Sequence, residues 1–273
     1  MSFLRTVTES SRRDVEEAKQ RVPLDRLQFV IAERRRVRSL GQTTGTHIDN
    51  ARDFAGALRT GSPAILAEIK RASPSAGPIT DANPSNLARA YERAGASAIS
   101  VVTEPRYFRG SLGDLVAARQ ACSLPVLRKD FIVDPYQVME SAAAGADAVL
   151  LIATALDPAT LRELRTLAES LDMCALVEIH SETEADFALA AGATLIGINN
   201  RDLNTLEVDL STALRVREAL PRGVTVVAES GYQSSDQLRE VFGAGFDAVL
   251  VGESLLRAAD PTSALRALRG VLV

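Results

Sequence analysis

From residue 64 onward, short apolar runs alternate with longer amphipathic stretches rich in Ala, Leu, Glu and Arg. The runs occupy 64–70, 98–104, 125–129, 148–153, 174–179, 195–199, 225–229 and 248–252. Their starts lie 21 to 34 residues apart, enough for a strand, a loop and a helix. Runs that are apolar on both faces suit a parallel sheet covered by helices. A second regularity supports this: Ala94-Gly95-Ala96, Ala144-Gly145-Ala146, Ala191-Gly192-Ala193 and Ala244-Gly245 each precede an even-numbered run. A glycine there fits the residue just past a helix end, where the backbone must turn left-handed. Eight such units in about 210 residues predict an α/β fold, a (β/α)8 TIM barrel. A doubly wound open sheet is the alternative. It would be favoured by a Gly-x-Gly-x-x-Gly turn after the first strand, and none follows 64–70.

Residues 1–60 lack this rhythm and predict a helical extension to a single barrel domain spanning 1–273. An exposed helix with a capped start is expected at 11–20, a second at 24–38, a loop at 41–45, and mixed apolar character at 53–58. The run Glu33-Arg34-Arg35-Arg36 is expected on a solvated helix face rather than in a nucleic-acid patch.

Composition narrows the function. With 31 Lys+Arg against 35 Asp+Glu the formal charge is −4, which argues against a nucleic-acid partner. Two cysteines and two histidines, His47 and His180, supply neither a disulfide framework nor a transition-metal centre, so no metal is expected. The N-terminal segment has no apolar h-region, and the longest apolar run, 148–156, is far too short to span a bilayer. A cytoplasmic protein with reduced thiols and no membrane association is expected.

In a barrel of this kind the chemistry sits at the C-terminal strand ends. The first run ends Glu68-Ile69-Lys70 and leads to Ser73, the third ends Arg128-Lys129-Asp130-Phe131, and the fifth Glu178-Ile179-His180. The sixth ends Asn199-Asn200-Arg201, the seventh Glu229-Ser230-Gly231, and the eighth Gly252-Glu253-Ser254. Period-two alternation places Glu68 and Lys70 on one face. One strand Lys or Glu is usually half of a structural ion pair. Ionisable groups at nearly every strand end imply a shared polar mouth, because burying each alone is costly. The small residues ending runs seven and eight suit an anion, and phosphate binding there recurs in these barrels.

The strings Glu68-Ile-Lys-Arg-Ala-Ser-Pro-Ser75, Ser100-Val-Val-Thr-Glu-Pro-Arg-Tyr-Phe-Arg-Gly-Ser111, Pro125-Val-Leu-Arg-Lys-Asp-Phe131, Ala144-Gly-Ala-Asp-Ala-Val-Leu-Leu-Ile152, Ile196-Gly-Ile-Asn-Asn-Arg-Asp-Leu203 and Val251-Gly-Glu-Ser254 resemble the indole-3-glycerol-phosphate synthase family, in register at every strand from about residue 50 to 256. The chain departs from it at Ala76, where many members carry Lys. It has no room for the second barrel fused to this enzyme in some organisms. The resemblance implies a carboxy-lyase of tryptophan biosynthesis, acting without a cofactor on 1-(2-carboxyphenylamino)-1-deoxyribulose 5-phosphate. Lys129 would be the acid of ring closure, with Glu178 and Lys70 serving the later acid and base steps. Glu68 would orient the lysines and the sugar hydroxyls, and Asn199 and Arg201 would order the mouth. Phe108 and Phe131 would wall the aromatic ring. Ser73, Ser230, Gly231, Gly252 and the Glu253 amide would hold the phosphate, and residues 1–60 would cap the mouth. A monomer or weak homodimer is expected. Neighbouring phosphate-binding barrels such as phosphoribosylanthranilate isomerase or the tryptophan synthase α subunit lack the two strand lysines. A non-catalytic scaffold barrel would be expected to have lost Lys129 or Glu178.

Overall fold

A computed structural model describes residues 2–40, 51–59 and 64–270. The loop expected at 41–45, and His47, lie outside the described residues. The apolar runs become the strands β1 (Ala64–Ile69), β2 (Ala98–Val102), β3 (Val126–Lys129), β4 (Ala148–Ile152), β5 (Cys174–Ile179), β6 (Leu195–Asn199), β7 (Thr225–Glu229) and β8 (Ala248–Val251). All neighbours pair in parallel, and β8 closes back onto β1, with Ala64 opposite Ala248 and Ala67 opposite Val251. Each strand alternates between two apolar environments, as period-two geometry demands. Ile65, Ala67 and Ile69 pack outward against the helices, while Ala64 and Leu66 pack inward with Leu127, Leu150 and Leu176. This double burial explains why the runs lack polar alternation.

The glycine punctuation has the conformation expected of it. Gly95, Gly145, Gly192 and Gly245 all have φ between +85° and +90°, ending helices before β2, β4, β6 and β8. In that region a side chain would collide with the backbone, whereas glycine is free of the penalty.

The N-terminal segment forms α1 (Phe3–Arg21), α2 (Leu24–Ser39) and α3 (Phe54–Leu58). The first helix begins at Phe3 with Ser2 as its cap, not at Ser11. Ser11 is instead buried within the helix, and Ser10 and Thr8 satisfy their hydroxyls on the preceding turn, at Val7 O and Leu4 O. The arginine run does not form a freely solvated face. Arg34 donates to Ala142 O, and Arg35 to Ser170 O and Asp172, so α2 is held against the C-terminal turns of two barrel helices, α6 (Pro135–Ala144) and α7 (Pro158–Ser170). Carbonyls at helix C-terminal turns have lone pairs to spare, even at Ala142 O, which also accepts from the Gly145 amide, and cations satisfy them well.

The extension reaches both ends of the barrel. Phe54 and Leu58 of α3 are fully buried against the inward residues at the starts of the strands. Phe3 of α1 lies edge-on to Tyr107 and Phe131 at the opposite end, with ring centroids 5.1 and 6.2 Å away. Helix α1 is fixed there by Arg106 on Asp14, by Lys19 to Asp134 at 3.0 Å, and by the Tyr136 hydroxyl donating to Ala18 O and Val22 O.

Candidate active site

The C-terminal strand ends surround a cavity of about 530 Å³. Glu68, Lys70, Ser73, Phe108, Lys129, Phe131, Glu178, Asn199, Arg201, Ser230, Gly231, Gly252 and Glu253 all line it. These residues come from loops and strands spread over nearly 190 positions of sequence, and parallel closure alone brings them together.

At the floor, Glu68 of β1 receives two ammonium groups, Lys70 Nζ at 2.7 Å and Lys129 Nζ at 3.2 Å. Glu68 is 3% exposed, and burial by itself would raise its pKa. The two lysines outweigh burial and hold the carboxyl ionised, down to about 2. Burial lowers the pKa of Lys129, but Glu68, Glu229 and Glu178 more than reverse this and keep it cationic. Burial also opposes the ionised form of Glu178, whereas His180, Lys129 and Asn199 lower its pKa below the ordinary carboxylate value.

Glu229, at the end of β7, is absent from the sequence-derived candidates although it obeys the same strand-end rule. It is completely buried, and its Oε2 lies 3.2 Å from Lys129 Nζ. That contact lacks hydrogen-bond alignment, so neither carboxyl oxygen has a hydrogen-bond partner among the described residues. Burial, with Glu178 and Glu68 adding to it against the pull of Lys129, pushes Glu229 up to about 8. Two glycines create the space for these acids. A Cβ at Gly197 would overlap Glu229 Oε1, and one at Gly252 would lie 2.9 Å from Glu68 Cβ and overlap its Oε1. The backbone of Gly252 thus supports Glu68 as well as facing the cavity.

The walls are fixed by buried networks. Arg128 donates to Asp130, to Glu140 and to Gln137 O, and Asp130 accepts from Thr103 Oγ1 at 2.6 Å and from the Phe131 amide at 2.9 Å. The residues flanking Lys129 are held in this way. The Glu104 carboxylate accepts from the amides of Arg106, Tyr107 and Phe108, shaping the loop that brings Phe108 to 6.3 Å from the Phe131 ring. Asn199 Oδ1 accepts from the Arg201 amide, and Arg201 Nη1 bridges Leu206 O at 2.7 Å to Ser75 Oγ at 3.3 Å. Arg201 thereby ties the loop after β6 to the loop after β1.

At the end of β7, Ser230 (φ +65°) and Gly231 (φ +93°) lie consecutively in the left-handed region. For the serine this costs on the order of 1 kcal/mol or more, a strain found mainly at functional sites. Asn200 stabilises the turn by donating to Ser230 O and the Tyr232 hydroxyl. Ser254 Oγ donates to Tyr232 O and joins the seventh and eighth loops. Ser73 Oγ accepts from the Ala76 amide at 3.1 Å.

Comparisons with known proteins identify a family. A family model described as indole-3-glycerol phosphate synthase matches residues 4–268. The indole-3-glycerol phosphate synthase of Mycobacterium ulcerans (strain Agy99) is 54% identical over 216 residues, covering 78% of this chain and 79% of that protein. The enzyme of the same name from Mycolicibacterium vanbaalenii is 55% identical over 214 residues, with the same coverage. Among solved structures, a 3-hexulose-6-phosphate synthase superposes with TM-score 0.63 at 18% identity, covering 77% of this chain and all of that one, a likeness of fold alone. A barrel whose strand ends gather two lysines and three glutamates, matched over residues 4–268 by this model and over 78% of its length by these relatives, belongs to the indole-3-glycerol phosphate synthase family.

Proposed function

We propose that the cavity closes the indole ring of 1-(2-carboxyphenylamino)-1-deoxyribulose 5-phosphate, releasing carbon dioxide and water to give indole-3-glycerol phosphate. The observation that carries the mechanism is the convergence of Lys70 and Lys129 on Glu68, with Glu178 across the same cavity. The ring carbon bearing the carboxylate attacks the ketone, and charge develops on the ketone oxygen. Lys129 donates its proton there. The raised pKa keeps the ammonium loaded, and an alkoxide is still basic enough to take its proton. The carbon–carboxylate bond then breaks, and its electron pair restores the benzene ring. The hydroxyl leaves as water on a proton from Lys70. Glu178, ionised, removes the proton whose loss completes the indole.

Glu68 holds the two lysines apart at fixed distances, so that neither must be oriented during reaction. Phe108, Phe131 and Phe3 flank the aromatic ring, and α1 covers the mouth above it. Ser73, Ser230, Gly231, Gly252 and the Glu253 amide face the phosphate. Every acid and base the sequence of steps needs is a side chain, so the reading calls on no cofactor. Among the described residues no helix is long and apolar enough to cross a membrane.

The test is the appearance of indole fluorescence from this substrate. Lys129→Ala is expected to lose about 10²–10⁴-fold in kcat, the usual worth of a positioned acid, with KM little changed. An unchanged kcat removes Lys129 from the mechanism, and no fluorescence from the parent enzyme removes the substrate assignment.

A further inference from the structure

Beneath the catalytic carboxylate lies a histidine that the reaction steps above do not use. His180 follows β5 directly, two residues after Glu178, so both side chains share one face of the strand direction. Its ring is wedged between two acids. Nε2 lies 3.4 Å from Glu178 Oε1, and each of these atoms is buried with no hydrogen-bond partner among the described residues. Nδ1 lies 3.2 Å from Glu184 Oε2, which also accepts from the His180 amide at 2.9 Å. Glu184 is fixed in turn by Ser181, whose hydroxyl donates to Oε1 and accepts from the Glu184 amide at the start of α8 (Glu182–Ala190). The ring therefore has little freedom to turn away.

We infer that His180 is a positioning residue for the proposed reaction: as an imidazolium it bridges Glu178 to Glu184, keeping the Glu178 carboxylate ionised and aimed into the cavity. The inference rests on the reading of Glu178 as the base. The argument is one of donors and acceptors. A neutral imidazole has one protonated nitrogen and one lone pair, so one of the two carboxylates would face a lone pair. Only the cation offers N–H to both. The surroundings agree. Burial alone would lower the His180 pKa, but Glu178 and Glu184 lift it to about 10. Asp202, on the loop after β6, also feels the His180 charge, and Arg215 of α9 (Ser211–Arg217) lines the adjoining cavity of about 740 Å³ with His180, Glu184 and Asp202. Glu178 itself is lowered by His180 on one side and Lys129 on the other. The catalytic carboxylate is thus held between two cations, one at the end of β3 and one just past β5.

Two measurements test this. In the parent protein, histidine-selective ¹⁵N NMR, with the His180 signal identified by its loss in His180→Gln, is expected to show an imidazolium at pH 8. A neutral ring at that pH overturns the inference and needs no folded alanine variant. In the fluorescence assay, His180→Ala is expected to lower kcat on the order of tenfold to a hundredfold with little change in KM, as a carboxylate loses its aim. Its acid limb is expected to move up by about one pH unit, because Glu178 loses a neighbouring cation. His180→Gln, which keeps a donor but no charge, should recover part of kcat while its acid limb stays raised. Glu184→Gln should bring in an alkaline limb below pH 10, because the imidazolium loses a partner. A His180→Ala profile that superimposes on the parent, or one that falls in Tm with no movement of the acid limb, leaves His180 a purely structural ion pair and overturns the inference. Glu178→Gln separates the two claims. Parental kcat in Glu178→Gln defeats the base assignment. Loss there beside a normal His180→Ala defeats only the positioning role.

Discussion

Gly197→Ala isolates the contribution of Glu229 without touching a charged residue. Gly197 sits inside β6, where register sets it beside Glu178 of β5 and Val227 of β7. A methyl group there would overlap Glu229 Oε1 and stand 3.2 Å from Glu229 Cδ. The carboxyl group is fully buried and cannot swing into solvent. Relief requires the carboxyl to withdraw by about an ångström, which disturbs its 3.2 Å contact with Lys129 Nζ. Overpacking of this kind costs about 1–3 kcal/mol of stability. Passed on to Lys129, the proposed acid, a misplacement of about an ångström costs on the order of 10²-fold in rate. The expected result is a fall in kcat of that order in the fluorescence assay, a small change in KM, and a lower Tm by calorimetry. Glu229→Ala in the same chain empties the space the methyl needs. The double variant should therefore regain the stability lost in Gly197→Ala while remaining slow, a coupling that sites without contact do not show. Parental kcat and Tm in Gly197→Ala would refute the claim that this glycine exists to admit Glu229.

Three further outcomes follow from the same geometry. Glu68, held near 2 against an ordinary value of 4.5, stabilises the fold above about pH 4.5 and loses that contribution as pH falls towards 2. The contribution is on the order of 3 kcal/mol, so Glu68→Gln should flatten the acid side of a plot of Tm against pH, whereas an unchanged acid slope would mean that the ion pairs are energetically silent. Glu229 has the opposite sign: raised to about 8, it removes stability as pH rises from about 4.5 through 8, and Glu229→Gln should flatten that stretch instead. Phe3→Ala removes two edge-to-face ring contacts at the mouth, each worth about 0.5–1.5 kcal/mol. It should raise KM several-fold, and an unaltered KM would separate α1 from substrate binding.

The barrel was legible in the sequence because its two signals are enforced at every repeat. A strand buried on both faces has to be continuously apolar, and a helix that turns directly into a strand requires glycine at the left-handed residue. Both conditions act locally, within a few residues. The strand-end rule was legible for the same reason and brought Glu68, Lys129 and Glu178 into view. Glu229 obeys the rule too, but in sequence it adjoins Ser230-Gly231, whose small residues carry the stronger signal of an anion-binding turn. The helix start at Ser2 was hidden because Ser10 and Ser11 imitate a cap. Nothing local reveals that their environment is buried and that the preceding turn satisfies such hydroxyls. The role of the arginine run was equally hidden, since its partners, Ala142 O and Ser170 O, lie more than 100 residues away.

What the sequence could not show is the order of the charges around the mouth. Glu184, His180 and Glu178 follow one another from the outer helix inward, and Lys129 then faces Glu68 and Glu229, with Lys70 beyond Glu68. Each cation on this path is already engaged by a carboxylate, so none is free to bind substrate without loosening its partner. The proposed phosphate end, by contrast, is built from Ser73, Ser230, Gly231, Gly252 and the Glu253 amide, which supply no cation, and Ala76 lines the cavity with them. A dianion at that end therefore depends on amides, hydroxyls and whatever share of Lys70 it can draw from Glu68. Ala76→Lys should then tighten KM at low ionic strength, with the gain fading as salt shortens the screening length. If KM stayed the same at low salt, the phosphate would not lie beside Ala76, and the charge path would run through the site in some other direction.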